Sequence, residues 1–235
     1  MNRTSFLTAS ASLVAASSGI AAAQSIPGGS HLVERNTDFN AAQFKQIVGR
    51  PAKIRQVFEQ ISFKPQALLN IKNSLNGLEY GYGYNASDIA IAFAAHGPAA
   101  ALNYNDYLWD KYKLGDFFGA KDAQGATITS NIWVKSKAAV AVKDDPDDAV
   151  SMYQDASIEM LQKRGVIFLC CHTAVEEQAR NLVKPGAPAA GANPTDVAND
   201  ILTHLIPGAV VVPSMVSTVA VLQHEYKYTY AALTF

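Results

Sequence analysis

Three short runs of this chain, 89–95, 166–171 and 209–212, are apolar at every position and bounded by turn formers. Strands of that kind are buried on both faces, as in a parallel sheet. The stretches between them carry helical spacing. Pro65 opens a helix with Leu68, Leu69, Lys72, Leu75 and Leu78 along one side and Gly77 near its end. Asp147 and Asp148, favourable charges for a helix start, predict a helix through Val150, Tyr153, Ser157 and Met160 to a left-handed terminator at Gly165. Residues 174–183 read as a polar helix and 184–193 as a loop. Asn193 then caps a helix with Pro194 in its first position and Val197, Ile201 and Leu205 on its buried side. After the strand that Pro213 ends, 214–225 is helical and 228–233 is a last, edge strand.

Strands and helices that alternate through short links predict parallel pairing through right-handed crossovers. The fold class is α/β: a single-domain, three-layer sandwich around a mainly parallel sheet. Ile54, Val57, Phe58 and Ile61 have helical spacing, yet the architecture requires a first strand here, and the segment is assigned as one. The aromatic-rich region with Tyr104, Tyr107, Trp109, Tyr112, Phe117 and Phe118 reads as an insertion at about 104–147 whose fold the pattern does not specify. The domain spans 51–235.

The first 23 residues follow another pattern. Arg3 precedes an apolar and small stretch, 7–23, that ends in three alanines before Gln24. A charged start, apolar centre and small-residue cleavage site mark an export signal and predict a periplasmic or secreted protein. Residues 2–7 (NRTSFL) resemble a twin-arginine leader with Thr4 in place of the second arginine, so the Tat and Sec routes both stay open. Residues 24–50 begin polar and turn-rich and predict a flexible arm.

Composition narrows the function classes. With 19 basic and 20 acidic residues the net charge is −1, and no clustered basic surplus exists to grip a phosphate backbone; no nucleic-acid partner is expected. Beyond the leader no apolar run reaches the ~20 residues of a membrane span. Two cysteines rule out a disulfide-stapled miniature and a four-cysteine zinc site.

In a parallel sheet, functional groups gather beyond the carboxyl ends of the strands. Those ends deliver His96 with Gly97, then Cys170, Cys171, His172 and Thr173, and Ser214. Cys171 ends a strand and precedes a helix, whose amides and dipole favour a thiolate nucleophile. Cys170, one position earlier, is expected to pack in the interior. A bond between the two would be strained, because adjacent α-carbons are ~3.8 Å apart whereas ordinary bridges begin near ~4.4 Å. His96 and His172 are candidate proton carriers, and Thr173, Gly97 and Ser214 candidate substrate contacts. With Cys171 the histidines could also form a soft copper or zinc site. The acidic run at 143–148 lacks the glycine and ligand spacing of a calcium loop. Phosphate-loop, dinucleotide, haem-attachment, serine-hydrolase and zinc-protease motifs are absent from the sequence, and no cofactor is expected.

Three stretches resemble the DsrE-like (YchN-like) sulfur-relay family: 68–77 (LLNIKNSLNG) with 88–97 (DIAIAFAAHG), 161–173 (LQKRGVIFLCCHT), and 206–230 (IPGAVVVPSMVSTVAVLQHEYKYTY). The resemblance implies a small α/β subunit that forms homo-oligomers, trimers or hexamers. It implies a sulfurtransferase-like carrier that holds sulfane sulfur as a persulfide on Cys171, with Cys170 second. Its partner would be a small sulfur compound or a protein thiol. Two other readings remain open at this stage: a non-catalytic periplasmic binding or assembly subunit that uses the aromatic insertion as its surface, and a Cys/His metal-binding protein.

Overall fold

The computed structural model describes residues 33–136 and 145–233; the leader lies outside them. A single sheet of five strands runs through the molecule: β1 (Ile54–Gln60), β2 (Ile89–Ala95), β3 (Ile167–Cys171), β4 (Val210–Val212) and β5 (Thr229–Ala232), in the order β4-β3-β2-β1-β5 with every pair parallel. The fold is therefore an α/β three-layer sandwich, as the pattern of buried runs predicts. All of β2, β3 and β4 is buried, while β5 is an exposed edge strand beside β1.

The two faces are covered differently. Phe58, Ile91, Phe93 and Phe168 point to the side of α2 (Ala67–Asn76) and α5 (Ile158–Lys163), where Leu68, Ile71, Leu75, Ile158 and Leu161 meet them. Val57, Ala92, Ala94 and Leu169 point to the side of α6 (His172–Leu182), α7 (Pro194–Thr203) and α8 (Met215–His224). Each fully buried Leu, Ile or Phe on these faces contributes about 1.5–3 kcal/mol by leaving water. From β1 to β4 the chain steps across the sheet in one direction. Its β1–β2 crossover lies on the first face and its β3–β4 crossover on the second, so the two have opposite hands. A uniformly right-handed winding, expected from sequence, does not hold.

Two further expectations are corrected. The stretch expected as an arm contains α1 (Ala41–Val48), capped by Asn40, whose side chain accepts from the Gln43 amide at 3.0 Å. Phe44 and Val48, one turn apart, bury its inner side in the core. The helix expected from Asp147 begins only after Ser157. Asp145, Asp148 and Asp155 each accept the amide two residues on, closing turns that compete with the helix. Gly77 caps the end of α2, where the sequence places it, and the chain then continues with helical dihedrals into a π-type turn, Gly77–Gly81.

The insertion is part of the core. Its described residues form α3 (Asp106–Lys111) and α4 (Leu114–Phe118), following a 3₁₀ segment, Gly97–Asn103. Tyr104 and Trp109 are fully buried; the Trp109 indole donates to the Ala101 carbonyl and the Tyr104 hydroxyl to Gln178 Oε1. Residues 137–144, with part of the acidic run, lie outside the described residues.

Candidate functional site at the carboxyl edge of β3

Cys171 is both the last residue of β3 and the N-cap of α6. Its Sγ accepts the Ala174 amide at 3.4 Å, as the oxygen of a capping serine would. It also accepts the Met215 amide, at 3.3 Å, from the first turn of α8. The N-termini of two helices thus converge on one sulfur. Ser214, the N-cap residue of α8, makes no side-chain cap, and the first amide of that helix is held instead by the thiol.

The expectation of an open, ionised thiol is not met. Cys171 is only 3% exposed. Burial raises its pKa more than the amides of Ala174, Met215 and Thr173 lower it, so the resting group is a protonated thiol. Cys170 is fully enclosed, and burial first, with Cys171 second, pushes its thiol far above the ordinary range. Cys170 is the packing residue the sequence predicts. Both cysteines are free.

The β2–β3 ladder pairs Ala95 with Cys170, and His96 continues β2 in extended conformation, level with Cys171. His96 Nε2 lies 3.0 Å from Glu59 Oε1, both side chains about 15% exposed or less, and the Tyr230 hydroxyl donates to Glu59 Oε2. A Tyr230–Glu59–His96 row therefore crosses three adjacent strands on the α6–α8 face. Glu59 and Tyr230 escape sequence reasoning. The signal for them is the register, Glu59 opposite Ala94 and Val57 opposite Tyr230, which only the assembled sheet supplies.

The other candidates separate into braces and core. The Thr173 hydroxyl donates to the Pro213 carbonyl at 3.0 Å and ties the start of α6 to the end of β4. Gly97 has φ +52, and a Cβ there would sit 3.2 Å from Ile61, so it serves the turn out of β2. Its carbonyl accepts from Gln178 of α6. His172 is buried inside α6 with Nε2 3.8 Å from Glu176 Oε1, one turn along. Among the described residues no three His, Cys, Asp or Glu side chains gather as a set of metal ligands, and no helix is long and apolar enough to cross a membrane.

The chain matches no protein-family model, no curated protein and no solved structure. The chemistry of this edge therefore rests on its own geometry. A sulfur atom at this position receives hydrogen bonds suited to negative charge, while its cover keeps the unmodified thiol neutral.

Proposed function

We propose that the protein is an exported, DsrE-like carrier that holds sulfane sulfur as a persulfide on Cys171. The convergence of the α6 and α8 amides on Cys171 Sγ is the observation that carries this reading. Those donors stabilise a sulfur anion once one forms. In the step proposed, the Cys171 thiolate attacks the outer sulfur of a low-molecular-weight persulfide, R–S–SH. The new bond joins Cys171 Sγ to that sulfur, the old S–S bond breaks, and R–S⁻ leaves to take up the proton that Cys171 released. His96, oriented by Glu59, is the base that the neighbouring strand end brings to this edge. Because the resting thiol is covered and neutral, transfer requires the α6–α8 junction to open first. This favours a partner that docks there over uncontrolled reaction with every oxidant in the periplasm. The leader pattern supports an exported setting, and self-association into trimers or hexamers belongs to the same proposal.

Incubation of the purified protein with polysulfide, followed by intact mass measurement, tests the reading. Wild type and Cys170→Ser gain the mass of one sulfur atom and release it to added thiol; Cys171→Ser gains none. Equal gain by Cys171→Ser, or no gain by wild type, contradicts it.

A further inference from the structure

A cavity of about 890 Å³ lies away from Cys171, between the start of α2, the loop after α4 and the segment that leads into α5. It shares no lining residue with the Cys171 neighbourhood, and its volume is that of a small-molecule site. Three aromatic rings of its lining touch one another: Phe63 stacks on Phe118 with ring centres 5.5 Å apart and meets the edge of Trp133 at 5.3 Å. All three pack against the core yet keep accessible surface, which gives the cavity an aromatic floor. Each ring has a lysine of the same lining close to it in the chain: Lys64 next to Phe63, Lys135 two residues after Trp133, and Lys121 three residues after Phe118. Consecutive α-carbons are ~3.8 Å apart, so the contacts between the rings gather the three lysine backbones around one space. All three lysines are exposed and form no ion pair among the described residues. Of the two acids in the lining, Asp122 turns Oδ1 to the Gln124 and Ala126 amides of its own loop; Asp155 turns Oδ1 to the Ser157 amide and buries Oδ2. The first residues of α2 form a further wall, where Gln66 provides no side-chain cap.

We infer that this cavity binds an aryl-alkyl carboxylate, an apolar ring that carries one anionic head. The accessible faces and edges of Phe63, Phe118 and Trp133 accept an aromatic ring by offset or edge-on contact, and its burial there supplies the apolar part of the affinity. The uncommitted lysines take the carboxylate at the solvent rim, their stems along the apolar wall and their ammonium groups in water. The positive end of the α2 dipole favours the same sign of charge. Three lysines against two aspartates leave the lining one positive charge in excess, which matches a single carboxylate and not a polyphosphate. A cationic head would meet the lysines with like charge. The walls are held in shape independently of any ligand: Lys72 of α2 donates to Gln154 Oε1, and Gln154 Nε2 donates to the Pro146 carbonyl. The inference does not depend on the sulfur chemistry of Cys171.

Titration calorimetry at low ionic strength with 3-phenylpropionate, its amide 3-phenylpropionamide and the amine 3-phenylpropylamine tests it. Saturable one-to-one binding of 3-phenylpropionate is expected, with the amide at least about tenfold weaker and the amine weaker still. A Lys64→Gln, Lys121→Gln, Lys135→Gln triple variant, altered only at exposed positions, binds acid and amide equally. Location is read separately. Trp133 lines the cavity whereas Trp109 is fully buried, so saturation with 3-phenylpropionate changes the tryptophan emission, and Trp133→Phe removes that change. Thermal unfolding of both variants checks that they fold. No saturable binding of 3-phenylpropionate overturns the inference. So does the amide binding as tightly as the acid, a preference for the acid that survives the triple substitution in folded protein, or an emission change that persists in folded Trp133→Phe.

Discussion

Cys171 does two tasks with one atom: it caps α6 and satisfies an amide of α8. Replacing it tests the first task separately from any chemistry. Cys171→Ala leaves both amides without an acceptor and is expected to cost roughly 1–2 kcal/mol in urea unfolding, whereas Cys171→Ser retains a capping oxygen and loses less. Equal losses would show that the sulfur is a filler and not a cap. Acidity gives a second prediction at this scale. Burial raises the pKa of Cys170, Cys171 and Tyr104, so the folded state keeps protons that the unfolded chain releases once pH passes its ordinary thiol value, about 8.5. The unfolded state then binds fewer protons, and stability falls as pH rises. Urea midpoints between about pH 8 and pH 10 are expected to decline, and less steeply in Cys170→Ala than in wild type; an unchanged slope would contradict the raised thiol. The position of Cys171 at a strand end and helix start was legible from sequence. Its acidity was not, because only the Ala174 amide is local, while the Met215 amide comes from α8, 44 residues away, and burial arises only in the assembled fold.

Element boundaries were read best where local chemistry and burial agree. Asn193 caps α7 through the Thr195 amide, Gly165 has φ +88 after α5, and β2 covers the run 89–95. The reading failed where side chains bend the backbone in ways that periodicity ignores, as at the aspartates of 145–155. It also fell silent at the insertion, where buried Tyr104, Trp109 and Tyr112 mix with exposed Tyr107 in short helices and turns that carry no regular period. Gly115 in α4 shows how closely that insertion is packed: a Cβ there would lie 1.9 Å from the Ile128 carbonyl oxygen. Gly115→Ala is therefore expected to displace the 120–128 loop and to destabilise by about 1–3 kcal/mol in chemical unfolding. A neutral effect would mean that the insertion is a loose appendage.

At the scale of the molecule, the β3–β4 crossover that carries Cys171 is wound opposite to the β1–β2 crossover. It is tied across to β2 by Gln178, which accepts from the Tyr104 hydroxyl and donates to the Gly97 carbonyl. That tie holds α6 against the end of the strand that presents His96. Gln178→Leu leaves the buried Tyr104 hydroxyl without its acceptor and is expected to cost about 1–3 kcal/mol, measured by thermal unfolding. The α/β class and the parallel pairing were legible in the spacing of buried runs. The strand order, and with it the Tyr230–Glu59–His96 row, was not, since it depends on β5 returning to pair with β1 across 168 residues of intervening chain. The central claim is that sulfur resides on the atom where the α6 and α8 amides converge. Its most direct test is tandem mass spectrometry of the tryptic peptide 165–180, which holds both cysteines, after the protein is treated with a low-molecular-weight persulfide. The added sulfur is expected on Cys171 alone; sulfur on Cys170, or on neither residue, would contradict the account.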